Sequence, residues 1–158
     1  MKARMPLFVL PALLLIVAGC SKDAPLAEMS FGFGPTTVTL QKQGQDYTVS
    51  ADITVNIINR TERGQNIAFL EGTLYNAADE KALVRFRPII PDSYGSTSTA
   101  QMFPKQSRDF KVVTPLDLPG FDPARYPKVL VKLAFQTTEG IRNEVVSAPV
   151  VVTVAPGK

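Results

Sequence analysis

The sequence predicts an all-β fold, an antiparallel sandwich of seven or eight short strands, on three observations. Apolar and polar residues alternate with a period of two in several separate runs, the sharpest from Tyr47 to Ile57. Clusters of Gly, Pro, Asn, Asp and Ser divide those runs at about one strand length each. No window carries the 3.6-residue apolar stripe of an amphipathic helix. An open barrel of the same strands is the alternative architecture.

In chain order, Thr36–Leu40 is a β-prone run that ends at the polar turn Gln41–Asp46. Tyr47, Val49, Ala51, Ile53, Val55 and Ile57 then alternate with polar residues, the pattern of a strand with one buried and one wet face. A polar loop, Asn59–Asn66, leads to a strand over Ile67–Tyr75, where Gly72 marks a bulge or a close backbone approach. Asn76–Lys81 turns the chain into a hairpin partner with Ala82, Val84 and Phe86 on one face, stopped by Pro88. Pro91–Thr99 is the most loop-like part of the domain. Ala100–Phe103 is a short edge strand, and Ser107–Val113 a longer one that points Phe110 and Val112 inward.

Residues 116–127 form a crossover with room for one helical turn near Asp122–Tyr126. Val129, Val131, Leu133 and Phe135 alternate again before the tight turn Thr137–Gly140. Ile141–Val154 returns, with Val150, Val152 and Val154 on one face. Pro149 cannot donate to a ladder, so this strand lies at an edge or changes sheets there.

The stretch before the domain sets its address. Lys2 and Arg4 precede an apolar run from Met5 that is of signal-peptide length and shorter than a membrane-spanning helix. The run closes on Val17-Ala18-Gly19-Cys20, which resembles the lipobox of bacterial lipoproteins. That resemblance implies that residues 1–19 are cleaved, that Cys20 is lipidated, and that three acyl chains hold the protein to a membrane. Residues 20–35 then read as the lipidated Cys and a flexible tether, able to span about 50 Å when fully extended. Within it, Phe31 and Phe33 dock onto the domain as the start of the first strand. Residues 36–158 form the sandwich. Ser21, rather than Asp, after the Cys implies the outer membrane, with the domain facing the periplasm; the cell surface is the alternative.

The segment from Leu118 through Pro119-Gly120 to Tyr126, leading into Val129–Phe135, resembles the corner before one strand of immunoglobulin-like and fibronectin-like domains. In such domains a Tyr hydroxyl bonds back to nearby backbone. The Cys–Trp–Cys core of true immunoglobulin domains is absent.

Composition excludes much chemistry. The chain has no His and no Trp, and its one Cys is Cys20. The usual general base near neutral pH, the commonest metal ligand and a free thiolate nucleophile are therefore missing. Of 17 Lys and Arg against 14 Asp and Glu, two lie in the leader, so the mature chain is nearly neutral and nucleic acid is not an expected partner. No Gly-x-Ser-x-Gly, Ser-x-x-Lys or alternating calcium-loop spacing occurs. No cofactor or metal is expected, and the isolated domain should be monomeric.

The expected function is that of a non-catalytic binding or scaffolding module in an envelope assembly of the secretion or pilus type. The alternative is a surface adhesin or carbohydrate-binding lipoprotein, which the lack of Trp disfavours. Candidate partner-binding residues are Leu116, Leu118 and Phe121, apolar side chains in the crossover, with Tyr94 in the Ser-rich loop and Arg85 and Arg87 on one strand face. Each has a plainer role. The crossover residues can cap the sandwich end, and the arginines can simply keep a strand face wet.

Overall fold

The computed structural model describes residues 28–155 apart from 45, 93–94 and 119–120, and leaves aside the side chains of 43, 92, 96 and 114–118. The leader, Cys20 and the tether to residue 27 lie outside the described residues.

The described chain is all-β. Its strands are β1 (Met29–Gln43), β2 (Asp46–Asn59), β3 (Gln65–Asn76), β4 (Ala82–Phe86), β5 (Ile90–Asp92), β6 (Gly95–Thr97), β7 (Thr99–Met102), β8 (Ser107–Leu118), β9 (Lys128–Thr137), β10 (Arg142–Val146) and β11 (Val150–Val154). Nine of them form one open sheet in the order β4-β3-β9-β11-β1-β2-β8, with β10 added on β9 and β7 on β3. The β5–β6 hairpin stands apart.

The sheet is mixed rather than purely antiparallel. β11 runs parallel to β1, Val38 opposite Val152 and Leu40 opposite Val154, and at its start it also meets β9, Val150 opposite Val129. It thereby joins two wings, β1-β2-β8 and β9-β3-β4. The chain changes partners where Pro149 indicated: β10 pairs with β9, and past Ser147–Pro149 the next strand pairs mainly with β1.

Side chains of both wings meet in one core. The Phe31 ring on β1 stacks on Phe135 of β9 at 4.9 Å between centroids, and Phe69 of β3 packs edge-on against Phe135 at 4.8 Å. Val49, Ala51, Ile53, Val55 and Ile57 are all buried, as the alternation of β2 requires. Val129, Val131, Leu133 and Phe135 of β9 are buried likewise, and so are Phe110 and Val112 of β8.

Two bulges explain where the sequence pattern breaks. On β1, Met29, Phe31 and Phe33 pack against the core, and so do Val38 and Leu40, although odd and even positions should face opposite ways. Three steps from Phe33 to Thr36 pass opposite two steps of β2, Val55 to Ile53, so one extra residue flips the parity. Pro35, which has no N–H to offer a ladder, lies in that irregularity. On β3 the extra residue is Leu70. Gln65, Ile67 and Phe69 are buried before it and Gly72, Leu74 and Asn76 after it, while Leu70 itself is exposed.

Three expectations are corrected. Residues 29–35 are expected in the tether but belong to β1, paired with β2 from Met29 to Phe33, while Phe31 docks as expected. β8 continues to Leu118, into what reads as crossover, because it pairs with β2 as far as Tyr47. The loop-like Pro91–Thr99 holds the short β5–β6 hairpin and the start of β7. In addition, Val154 is half exposed, whereas Val150 and Val152 pack on the core.

Candidate functional site

The strand directions sort the loops into two ends. At the end where β1 begins lie the β2–β3 loop (60–64), the β7–β8 loop (103–106) and the β9–β10 turn (138–141). At the far end lie the β1–β2 turn, the β3–β4 turn, the β8–β9 crossover and the end of β11, where Ala155 N–H donates to the Leu40 carbonyl.

Most of the apolar candidates from the sequence fall at the far end. Phe121 is buried, and its ring packs on Tyr126 at 5.2 Å. Asp122 holds the expected helical turn: its carbonyl accepts from Arg125 and Tyr126 N–H, and its Oδ1 from Ala124 N–H. Phe121 therefore caps the core here. The Arg125 guanidinium lies over the Tyr126 ring at 5.4 Å. No hydrogen bond joins the Tyr126 hydroxyl to backbone among the described residues, which leave out 119–120. Leu116 and Leu118 stand on the last turns of the β8 ladder, opposite Val49 and Tyr47, with side chains outside the description. Tyr94 also lies outside the described residues.

Arg85 and Arg87 are exposed on and just beyond the edge strand β4. Arg85 Nε lies 3.8 Å from Glu71 Oε1, a long surface pair that holds neither side chain firmly. Ile89, two residues beyond Arg87, bridges antiparallel to Val113, which brings this stretch of chain against β8, the strand that carries Leu116 and Leu118.

Two surface features were not legible in the sequence. Where β1 bulges away from β11, an open groove of about 550 Å³ runs between Phe33–Thr39 and Ser147–Val151. At the β1-entry end, a shallow polar dish of about 640 Å³ is lined by Glu28, Arg60, Glu62, Arg63, Lys105 and Glu139.

The dish has a rigid floor, built from the buried Asn59. Its Nδ2 donates to the Arg63 carbonyl at 2.8 Å and the Phe103 carbonyl at 3.0 Å, and its Oδ1 accepts from Thr61 N–H and Thr61 Oγ1. Lys105 N–H reaches the Thr61 carbonyl, and Lys105 Nζ pairs with Glu62 at 2.9 Å. Thr138 Oγ1 accepts from Asn66 N–H and donates to its carbonyl, which ties the β9–β10 turn to β3. Asn59 spans two loops because it is the last residue of β2 and points inward; only its position after the Ile57 alternation hinted at this in the sequence.

Among the described residues, a hydrogen bond from Lys132 holds the Glu144 carboxyl below its ordinary value, and the same bond holds Lys132 above its own. This is a pair on the exposed face of β9 and β10, assisted by Arg142 at 3.5 Å. No group of three or more Cys, Asp or Glu side chains that could hold a metal occurs among the described residues.

No family model matches the chain, and no curated protein matches it. Solved structures similar to it include the structural-genomics target SoR45, at TM-score 0.48 and 15% identity over 82% of this chain and 89% of that one. A FixG-related protein from Vibrio parahaemolyticus gives 0.43 and 10% over 80% and 98%. A putative ApaA protein from Bordetella pertussis gives 0.42 and 15% over 82% and 98%.

Proposed function

We propose that the chain is a lipid-anchored bacterial envelope protein whose one immunoglobulin-like β-sandwich binds a protein partner and performs no chemistry of its own. The observation that carries the reading is polarity. β1 enters from the tether at one end, and the crossover with Leu116, Leu118 and Phe121 closes the other. A domain held by Cys20 through so short a tether directs that far end away from its membrane. Two wings around one core, with the first and last strands side by side at the seam, support the sandwich.

Partner binding fits this build, because strand faces and loop ends offer surface rather than a reactive pocket. Lipidation supplies the location. At ~0.8 kcal/mol per buried CH₂, one acyl chain holds marginally while three hold essentially permanently. Ser21 at the sorting position favours the outer membrane, facing the periplasm.

The test is affinity capture of the tagged full chain from detergent-solubilised membranes, with mass determination of the mature N-terminus. The expected result is an acylated Cys20 and a defined envelope protein that is lost with Arg125→Glu/Lys128→Glu, exposed positions of the same crossover end, at an unchanged melting temperature. A bare Cys20 overturns the anchoring. Capture of nothing, or of the same partner by the double variant, overturns the far end as the binding surface.

A further inference from the structure

We infer that the tether end of the domain is itself a membrane-contacting surface. The β2–β3, β7–β8 and β9–β10 loops rest in the phospholipid headgroup layer, with Phe103 and Ile141 reaching to the edge of the acyl region. The inference rests on the lipid-anchored reading and deepens it by giving the domain an orientation.

Reach comes first. Residues 21–28 separate the lipidated position from the first residue of β1, and even fully extended they span at most about 28 Å. As a coil they span nearer 16 Å. β1 alone, from Met29 to Gln43, is about 50 Å long at the rise of a strand. The far end therefore stays out of the lipid whenever the domain stands on its tether, and the β1-entry end is held at the surface without further cost.

The second observation is what that end exposes. Phe103 and Ile141 are 57% and 54% exposed and belong to two different loops. Each lies two residues along the chain from a residue that lines the dish, Lys105 and Glu139, and the charges of that dish are matched, Arg60, Arg63 and Lys105 against Glu28, Glu62 and Glu139. Apolar tips beside long charged side chains whose heads stay wet are what an interfacial surface needs. The matched charges suit a zwitterionic headgroup layer, in which phosphate and ammonium both find partners.

The third observation is the backbone. Near hydrocarbon, an unpaired N–H or C=O cannot fall back on water. Here several loop backbone groups are paired internally: the Phe103 carbonyl with Asn59, the Phe103 N–H with Gln106 Oε1 at 2.9 Å, the Arg63 carbonyl with Asn59, and the Asn66 N–H with Thr138. A loop that satisfies itself can lose its water shell on one side and keep its shape.

The chain contains no Trp, so a single introduced one is an unambiguous reporter. The mature lipidated protein is reconstituted into vesicles of phosphatidylethanolamine and phosphatidylcholine, with plain or brominated acyl chains. It carries Phe103→Trp, Ile141→Trp, the far-end Lys81→Trp, or Val151→Trp on the exposed side of β11. Phe103→Trp and Ile141→Trp should emit to the blue and be quenched by bromine several-fold more than the other two, with no change at high salt. Two independent loop positions guard against one substitution disturbing its loop.

Equal quenching at all four positions, or strongest quenching at Val151→Trp, overturns the orientation while the protein still floats with the vesicles. A blue shift that follows protein density and ignores bromine means contact between copies, and also overturns it. Protein that fails to float overturns the anchored reading, and this inference with it.

Discussion

Gly72 sits where a side chain has no room. It pairs with Phe86 across β3 and β4, and the Phe86 ring lies over it. A Cβ added there would stand 2.2 Å from two carbons of that ring, far inside any contact distance. The strand cannot retreat, because Gly72 is also paired with Leu133 of β9 on its other side. The ring can retreat only by leaving the core, where it is 6% exposed. Gly72→Ala should therefore cost about 1–3 kcal/mol, the usual range for overpacking. With a urea slope of about 2 kcal/mol/M for a domain of this size, the unfolding midpoint should fall by about 1 M. The decisive measurement is the cycle with Phe86→Leu, which shortens the ring side chain and opens the space. In that background Gly72→Ala should cost little or even stabilise, since Gly is a poor strand residue. Penalties that simply add, or a midpoint unmoved by Gly72→Ala alone, would refute the close approach as the reason for this glycine.

Three further outcomes follow from the same geometry. Ile53→Asp puts a charge at a 1% exposed position in the strand between β1 and β8, and should leave the domain unfolded by circular dichroism at room temperature. Asn59→Ala removes the hydrogen bonds that hold the dish and strands the Arg63 and Phe103 carbonyls. A loss of about 2–3 kcal/mol is expected in urea, with faster amide exchange confined to the 60–64 and 103–106 loops. For Glu144, whose folded carboxyl is held below the usual value, any stabilisation is present above the unfolded pKa and lost as pH falls through the lower folded one. For Lys132, held above its usual value, stabilisation is present below the unfolded pKa and lost as pH rises through the higher folded one. Both groups are partly exposed, so the effect on stability is small. An NMR titration should show Glu144 moving back up towards the ordinary carboxylate range in Lys132→Met.

The sequence read true wherever one strand obeys one period. β2 and β9 hold an unbroken alternation and were legible residue by residue, as were Phe110 and Val112 on β8. It misled where an extra residue changes the parity. The bulge at Gly34–Pro35 makes β1 look like a tether followed by a short strand, and Leu70 similarly cuts β3 into two patterns. Partner choice was beyond it. The pairing of β1 with β11 joins residues more than a hundred positions apart, and no local signal marks a parallel neighbour. The site was legible only in pieces. The loop Asn59–Asn66 stood out as polar and Phe121 as an apolar residue in a crossover. The dish needs Lys105 and Glu139, which only the third dimension brings to that loop.

The joining role of β11 has a consequence for the order in which the molecule can be completed. The two wings lie in different parts of the chain, and the strand that stitches them together is the last of the eleven. A polypeptide made N-terminus first has every residue of both wings before Val150–Val154 arrive, yet until they do only core side chains such as the Phe31–Phe135 stack, and no strand ladder, connect β9 to β1. Contacts that close so long a loop form late and slowly. The sheet thus carries its own delay: its ladder stays open along the seam until the final strand pairs beside the first.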